Sequence, residues 1–196
     1  MAQRATSVDM RHRHILLFLA KATASGLLFI GALWLAVTLR DSAAALSLVE
    51  RFGYLGMFLV AFASGFNLVV PIPAISFLPL FETAGFSVVS TIIVISIGMT
   101  LGDALGYVLG WFGRAVIADR QAPAWVHACE VWMSRYRLGL PLFLYFYAAL
   151  VSLPNELVVI PAGFSRQSWW HVLLPVFLGN VTFNVLIAFG IFSLLG

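Results

Sequence analysis

Apolar residues run from Ile15 to Leu39 with only Lys21 interrupting them, behind a flank carrying Arg4, Arg11 and Arg13. That run reaches the roughly 20 residues needed to cross a bilayer and exceeds the ~7 to 15 of a cleavable signal core, so it predicts a retained first span. Residues 40–53 mix charge with apolar side chains and read as a loop or a helix lying on the surface. From Tyr54 to Val70 only Ser64 and Asn67 are polar, and Pro71-Ile72-Pro73 follows, with Pro79, Glu82 and Gly85 close behind. Such punctuation breaks a helix, and broken backbone at membrane depth is tolerated only inside protein or beside a wet cavity.

A second span is predicted from Phe86 to Phe112, holding Asp103 and a glycine at every fourth position, Gly98, Gly102, Gly106 and Gly110. That spacing puts small residues on one helical face, where another helix can come close. Residues 113–137 are polar; within them Trp125, Ala128, Cys129, Trp132 and Tyr136 recur at helical spacing after Pro123, as in an interfacial amphipathic helix. The next apolar run begins at Leu138 and meets Pro154-Asn155-Glu156, then Pro161 and Gly163. As a helix, Leu157 to Phe164 rises only about 12 Å against a core of roughly 30 Å, so this leg is expected to turn back. The last span, Trp169 to Leu195, carries Asn180 and Asn184 one turn apart.

The two halves echo each other. Ala84-Gly85-Phe86-Ser87 returns 78 residues later as Ala162-Gly163-Phe164-Ser165, and Leu101-Gly102-Asp103 returns 77 later as Leu178-Gly179-Asn180. Val108-Leu109 and Phe112-Gly113 recur at that second shift as Val185-Leu186 and Phe189-Gly190. The chain thus divides into a basic N-terminus with one extra transmembrane helix, 1–44, and a domain at 45–196 made of units at about 51–113 and 135–195. The expected fold is an all-α membrane protein with an inverted repeat of re-entrant hairpin plus transmembrane helix. With an N-terminus on the cytoplasmic side, nine basic residues fall inside and only Arg40 and Arg51 outside, which sets the orientation by the positive-inside rule. Inverted units with broken helices are the signature of a transporter whose two halves meet near the midplane.

Composition narrows the class. The chain is 62% hydrophobic and 10% charged, against roughly 25% charged in soluble proteins. A soluble enzyme, a disordered tail and a nucleic-acid binder are excluded. Cys129 is the only cysteine, which leaves no intrachain disulfide and no cysteine metal cluster, and four scattered histidines make no metal site. No P-loop, nucleophile elbow or HExxH occurs, so neither catalysis nor a cofactor has a visible basis.

Several of these stretches together resemble one family. Pro71-Ile72-Pro73 with Ala84-Gly85-Phe86, the run from Gly102 through Asp103 and Tyr107 to Gly110 ending in Gly113-Arg114, and Pro154-Asn155-Glu156 with Pro161-Ala162-Gly163 are similar to the DedA family, also called SNARE-associated or VTT-domain proteins. The resemblance covers about residues 45–195. It implies a lipid transporter: bacterial members are associated with undecaprenyl phosphate recycling and eukaryotic ones with phospholipid scrambling, often with dependence on the proton-motive force. Two positions depart from the pattern. Ala74 and Ile75 stand where the family usually has an acid, with Glu82 the nearest, and Asn155, Glu156 and Leu157 stand where many members have an arginine. Anionic headgroups would then rely on helix N-termini and on the boundary arginines Arg114 and Arg166.

The acids at expected membrane depth are Glu82, Asp103 and Glu156. An ionised acid at a helix centre costs about 2.5 to 3.5 kcal/mol on insertion scales, so each is a candidate for a substrate or proton path. Glu156 and Asp103 lead, and Glu82 reads more simply as an interfacial acid. Asn67, Asn155, Asn180 and Asn184 are candidates for the same path, although hydrogen bonding between helices is the commoner use of a membrane asparagine. Pro71, Pro73, Pro79, Gly85, Pro154, Pro161 and Gly163 are expected to shape the hairpins. The functional expectation is movement of a phospholipid or polyprenyl-phosphate headgroup between leaflets, with membrane lipids and protons as partners, in a bacterial inner membrane. A small-solute permease or proton-coupled exporter and a non-transporting assembly subunit are the alternatives, and a homo-oligomer is left open.

Overall fold

A computed structural model describes Thr23 and residues 26–65, 74–116, 139–151 and 154–195. Asn67, Pro71, Pro73, the basic N-terminus, the first half of the first span and the expected interfacial helix after Pro123 lie outside these residues. Every described element is helical: α1 (Gly26–Leu39), α2 (Ala43–Gly65), a 3-10 turn (Ala74–Phe77), α3 (Leu78–Thr83), α4 (Val88–Val116), α5 (Gly139–Leu150), α6 (Glu156–Phe164) and α7 (Trp169–Leu195). Three of them, α2, α4 and α7, are long and apolar enough to cross a membrane.

The lengths follow from where the chain supplies a stop. The 29 residues of α4 rise about 44 Å and the 27 of α7 about 40 Å, each more than a hydrocarbon core of roughly 30 Å. By contrast α5 has 12 residues and α6 has 9, or about 18 and 14 Å, and neither spans alone. Between them the chain leaves helical form at Val151 and is helical again from Glu156, just after Pro154, whose ring nitrogen has no hydrogen to donate. Residues 40–53, expected as a loop or surface helix, are largely helix and run into the apolar stretch through a sharp break at Gly53, with φ 49° and ψ −139°. Only glycine takes that conformation readily. Phe86 packs over the break, and its ring meets Tyr54 edge-on at 5.0 Å.

Helix α4 is the hub, contacting α2, α3, α6 and α7. Its glycines set each approach. Gly98 and Gly102 lie against Phe58, Ala61, Phe62 and Gly65 of α2, while Gly106 and Gly110 lie against Glu156 and Ile160 of α6. On the α6 side Gly163 sits against the backbone of Tyr107, so two helices meet main chain to main chain. In the second half Gly179 of α7 opens the contact with Tyr145, Ala148 and Ala149 of α5. The match of Gly102 to Gly179 in sequence is thus a match in packing, each glycine admitting the first helix of its own unit. Two cores result, one around Met57, Ile75, Leu78 and Ile95, the other around Leu144, Val159, Val172 and Val176.

The other repeat behaves differently. Ala84-Gly85-Phe86-Ser87 follows the end of α3, with Gly85 at φ 85°, whereas Ala162-Gly163-Phe164 is still inside the last turn of α6. The two tetrapeptides do not occupy equivalent places. Both helices nonetheless stop in the same way: the Gly85 and Phe86 amides donate to Glu82 and Phe81 carbonyls, and the Arg166 and Gln167 amides to Gly163 and Ala162 carbonyls. This is the paired 6→1 and 5→2 pattern of a Schellman stop, whose left-handed residue is usually glycine. Gly85 fills it in the first half and Arg166, at φ 52°, in the second. A non-glycine residue there costs roughly 1–2 kcal/mol. Arg166→Gly is expected to raise the stability of the detergent-solubilised protein by about 1 kcal/mol, read as a higher denaturation midpoint; an unchanged or lower midpoint would mean the arginine contributes contacts that outweigh the strain.

Candidate functional site

Midway along α4, one face carries Ser96, Thr100 and Asp103 at successive turns, and midway along α7 Asn180 and Asn184 point back at them. Asn180 donates through Nδ2 to Asp103 Oδ2 at 3.1 Å and to Thr100 Oγ1 at 3.1 Å. Asn184 Nδ2 donates to Ser96 Oγ at 3.0 Å, and the Thr100 and Ser96 hydroxyls donate to backbone carbonyls one turn earlier, both at 2.8 Å. The third element comes from the break before α6. Asn155 Nδ2 donates to Asp103 Oδ2 at 3.0 Å and to Asn180 Oδ1 at 3.1 Å. Asn155 stands at the N-cap of α6, where an asparagine usually accepts from the helix's own amides, yet its side chain makes no capping bond. The amide is turned into the cluster instead.

The cluster is dry. Asp103, Glu156 and Asn180 are each 1% exposed and Asn184 is fully buried. Glu156 opens α6 beside Gly106, which leaves room for its methylenes, and a carboxylate in a first helical turn faces the positive end of the backbone dipole. Buried polar groups persist where they satisfy one another, and here Asp103 Oδ2 accepts from two amides at once. The arrangement places a carboxyl, two carboxamides and a hydroxyl where three elements converge at mid-height of the two long helices. Such a centre can hold a polar group, or pass a proton, at a depth where lipid offers neither.

The sequence candidates divide accordingly. Asp103, Asn155 and Asn180 come together by direct hydrogen bonds, Asn184 joins through Ser96, and Glu156 is buried in the neighbouring turn. Glu82 is exposed on α3. Pro79 lies in the first turn of α3 and Pro161 inside α6, while Gly85 follows the end of α3 and Gly163 packs against α4. Arg114 donates to the Phe164 carbonyl at 3.4 Å, and the Arg166 guanidinium lies 5.6 Å from the centroid of the Trp111 ring. Ser96, Thr100 and Met99, whose Sδ lies 3.6 Å from Asn184 Nδ2, were not singled out in the sequence. The signal for the first two was present, since positions 96, 100 and 103 share one helical face. Among the described residues no three His, Cys, Asp or Glu side chains gather as a metal site would require.

Long apolar helices packed through glycines around a buried polar centre define an integral membrane protein. Residues 72–193 match the family model of the VTT domain, and the chain belongs to that family, the DedA or SNARE-associated proteins. Neither the curated proteins nor the solved structures yield a match.

Proposed function

We propose that this protein moves a lipid or lipid-linked headgroup between leaflets, with Glu156 and Asp103 as protonatable polar contacts along the route. The observation that carries this reading is the buried Asp103–Asn155–Asn180 centre, at which the short α6 begins midway along two full-length helices. A broken helix at membrane depth is tolerated inside protein or beside a polar cavity, as this one is beside Asp103 and Asn180, and the lengths of α5 and α6 fit a segment that enters and returns. The recurrence of Gly102 and Gly179 in both packing and sequence supports two related units, which in the proposed topology have opposite orientation. The excess of basic residues on one side supports a cytoplasmic N-terminus, and the proposed location is a bacterial inner membrane.

Labelled phospholipid in reconstituted vesicles tests the proposal. The wild-type protein is expected to equilibrate label between leaflets well above the rate of protein-free vesicles. Glu156→Ala is expected to slow this at least ~10-fold, equivalent to about 1.4 kcal/mol of barrier. Wild-type vesicles that exchange no faster than empty ones would refute lipid movement, and uptake of a small solute by the same vesicles would favour a permease.

A further inference from the structure

Arg166 keeps a charged side chain at a backbone position that favours glycine, and the polar centre does not use it. Beside it lies an open groove of about 620 Å³. One wall is α4, with Ala104, Tyr107, Val108 and Trp111; the other is the start of α7, with Trp169 and Leu173. Val108 is 41% exposed, Trp111 42% and Trp169 50%, so the slot faces outward. Between two helices long enough to span, the outward medium is hydrocarbon, giving way to headgroups where the chain turns at Ser165–Ser168. The Tyr107 hydroxyl donates to the Gln167 carbonyl at 2.6 Å and ties that turn to the groove wall.

The two ends of the groove differ in chemistry. Its length is apolar, and its mouth holds the Arg166 guanidinium over an indole, with the Ser168 hydroxyl and Trp169 alongside. Indoles gather at the headgroup level, and a basic side chain there attracts anionic lipid. A molecule that complements both ends has a hydrocarbon tail and a negatively charged head. We infer that the groove binds one anionic phospholipid, its phosphate on Arg166 and an acyl chain against Tyr107, Val108 and Leu173. This lipid stays in its own leaflet and braces the α6–α7 turn against α4. The site is separate from the polar centre and does not depend on whether the protein transports.

Native mass spectrometry of the full chain in detergent micelles tests it, with phosphatidylglycerol and phosphatidylcholine of identical chains as probes. The wild type is expected to retain phosphatidylglycerol about fivefold more strongly. Arg166→Gln should erase that preference and Arg166→Lys should keep most of it. Val108→Trp, which fills the slot and leaves the charge, should weaken binding of the anionic lipid. Glycerol phosphate, which has no tails, should not compete. Equal retention of the two lipids by the wild type would overturn the proposal, as would an undiminished preference in Arg166→Gln or full displacement by glycerol phosphate.

Discussion

Asp103→Ala is expected to destabilise the detergent-solubilised protein by about 2–4 kcal/mol and to abolish leaflet exchange. The carboxylate oxygen accepts from Asn155 and Asn180 together, and its removal leaves one N–H of each amide without its acceptor, the other still bonded to Asn180 Oδ1 or Thr100 Oγ1, in a region with almost no solvent contact. Each stranded buried donor costs roughly 1–3 kcal/mol. The lower part of that range applies to each, because a chain unfolded within a micelle also finds partners for its polar groups. Asp103→Asn separates structure from charge. Its carbonyl can accept the same two bonds, so its stability should fall by less than about 1.5 kcal/mol, while exchange should still be lost where a protonatable group is required. Unfolding curves in denaturing detergent, read beside the vesicle assay, resolve both effects. An Asp103→Ala protein with the wild-type midpoint would show that the oxygen is not the keystone of the cluster.

Gly110→Leu is expected to be the most damaging single change at the helix contacts, costing more than about 3 kcal/mol and depleting the folded fraction recovered after solubilisation. A Cβ at Gly110 would run into the backbone carbonyl of Ile160, just as one at Gly163 would meet that of Tyr107. Neither obstacle is a side chain that can swing aside. Helices α4 and α6 would have to separate, and Asn155 would leave Asp103 with them. Gly190→Leu is the matched comparison. It lies on α7 with nothing within 4 Å of where a Cβ would stand, and its effect should stay within about 0.5 kcal/mol. Size-exclusion profiles and thermal unfolding distinguish the pair; since leucine is the better helix former, comparable losses for both would show that close backbone contact is not what sets the cost at Gly110.

The sequence disclosed the long helices because hydrophobic runs of this length admit few alternatives. The expected last span and α7 share the limits Trp169 and Leu195, and the expected second span, Phe86 to Phe112, falls within four residues of α4 at either end. Pro154 and the short stretch behind it foretold α6, since proline and helix rise act locally. The pairing of Asp103 with Asn180 was legible only as a repeat, a polar residue after Leu-Gly in each half; that the two bond to each other depends on how α4 and α7 cross. The Ala-Gly-Phe-Ser match misled because what ends a helix is a left-handed residue and two backbone bonds. An arginine can supply that residue as well as a glycine, at a cost, and nothing in the letters around Arg166 announces it.

The order in which the ribosome delivers these groups gives the Asp103 contacts a further meaning. Asn155 follows 52 residues after Asp103 and Asn180 follows 77 after it, so the acid is synthesised before either amide that binds it. The nascent first half must keep that carboxyl neutral, watered or sheltered by the insertion machinery until the second half arrives to receive it. A chain that stops short of residue 155 lacks both amides, so its Asp103 carboxyl has neither of the donors that hold Oδ2 in the complete fold.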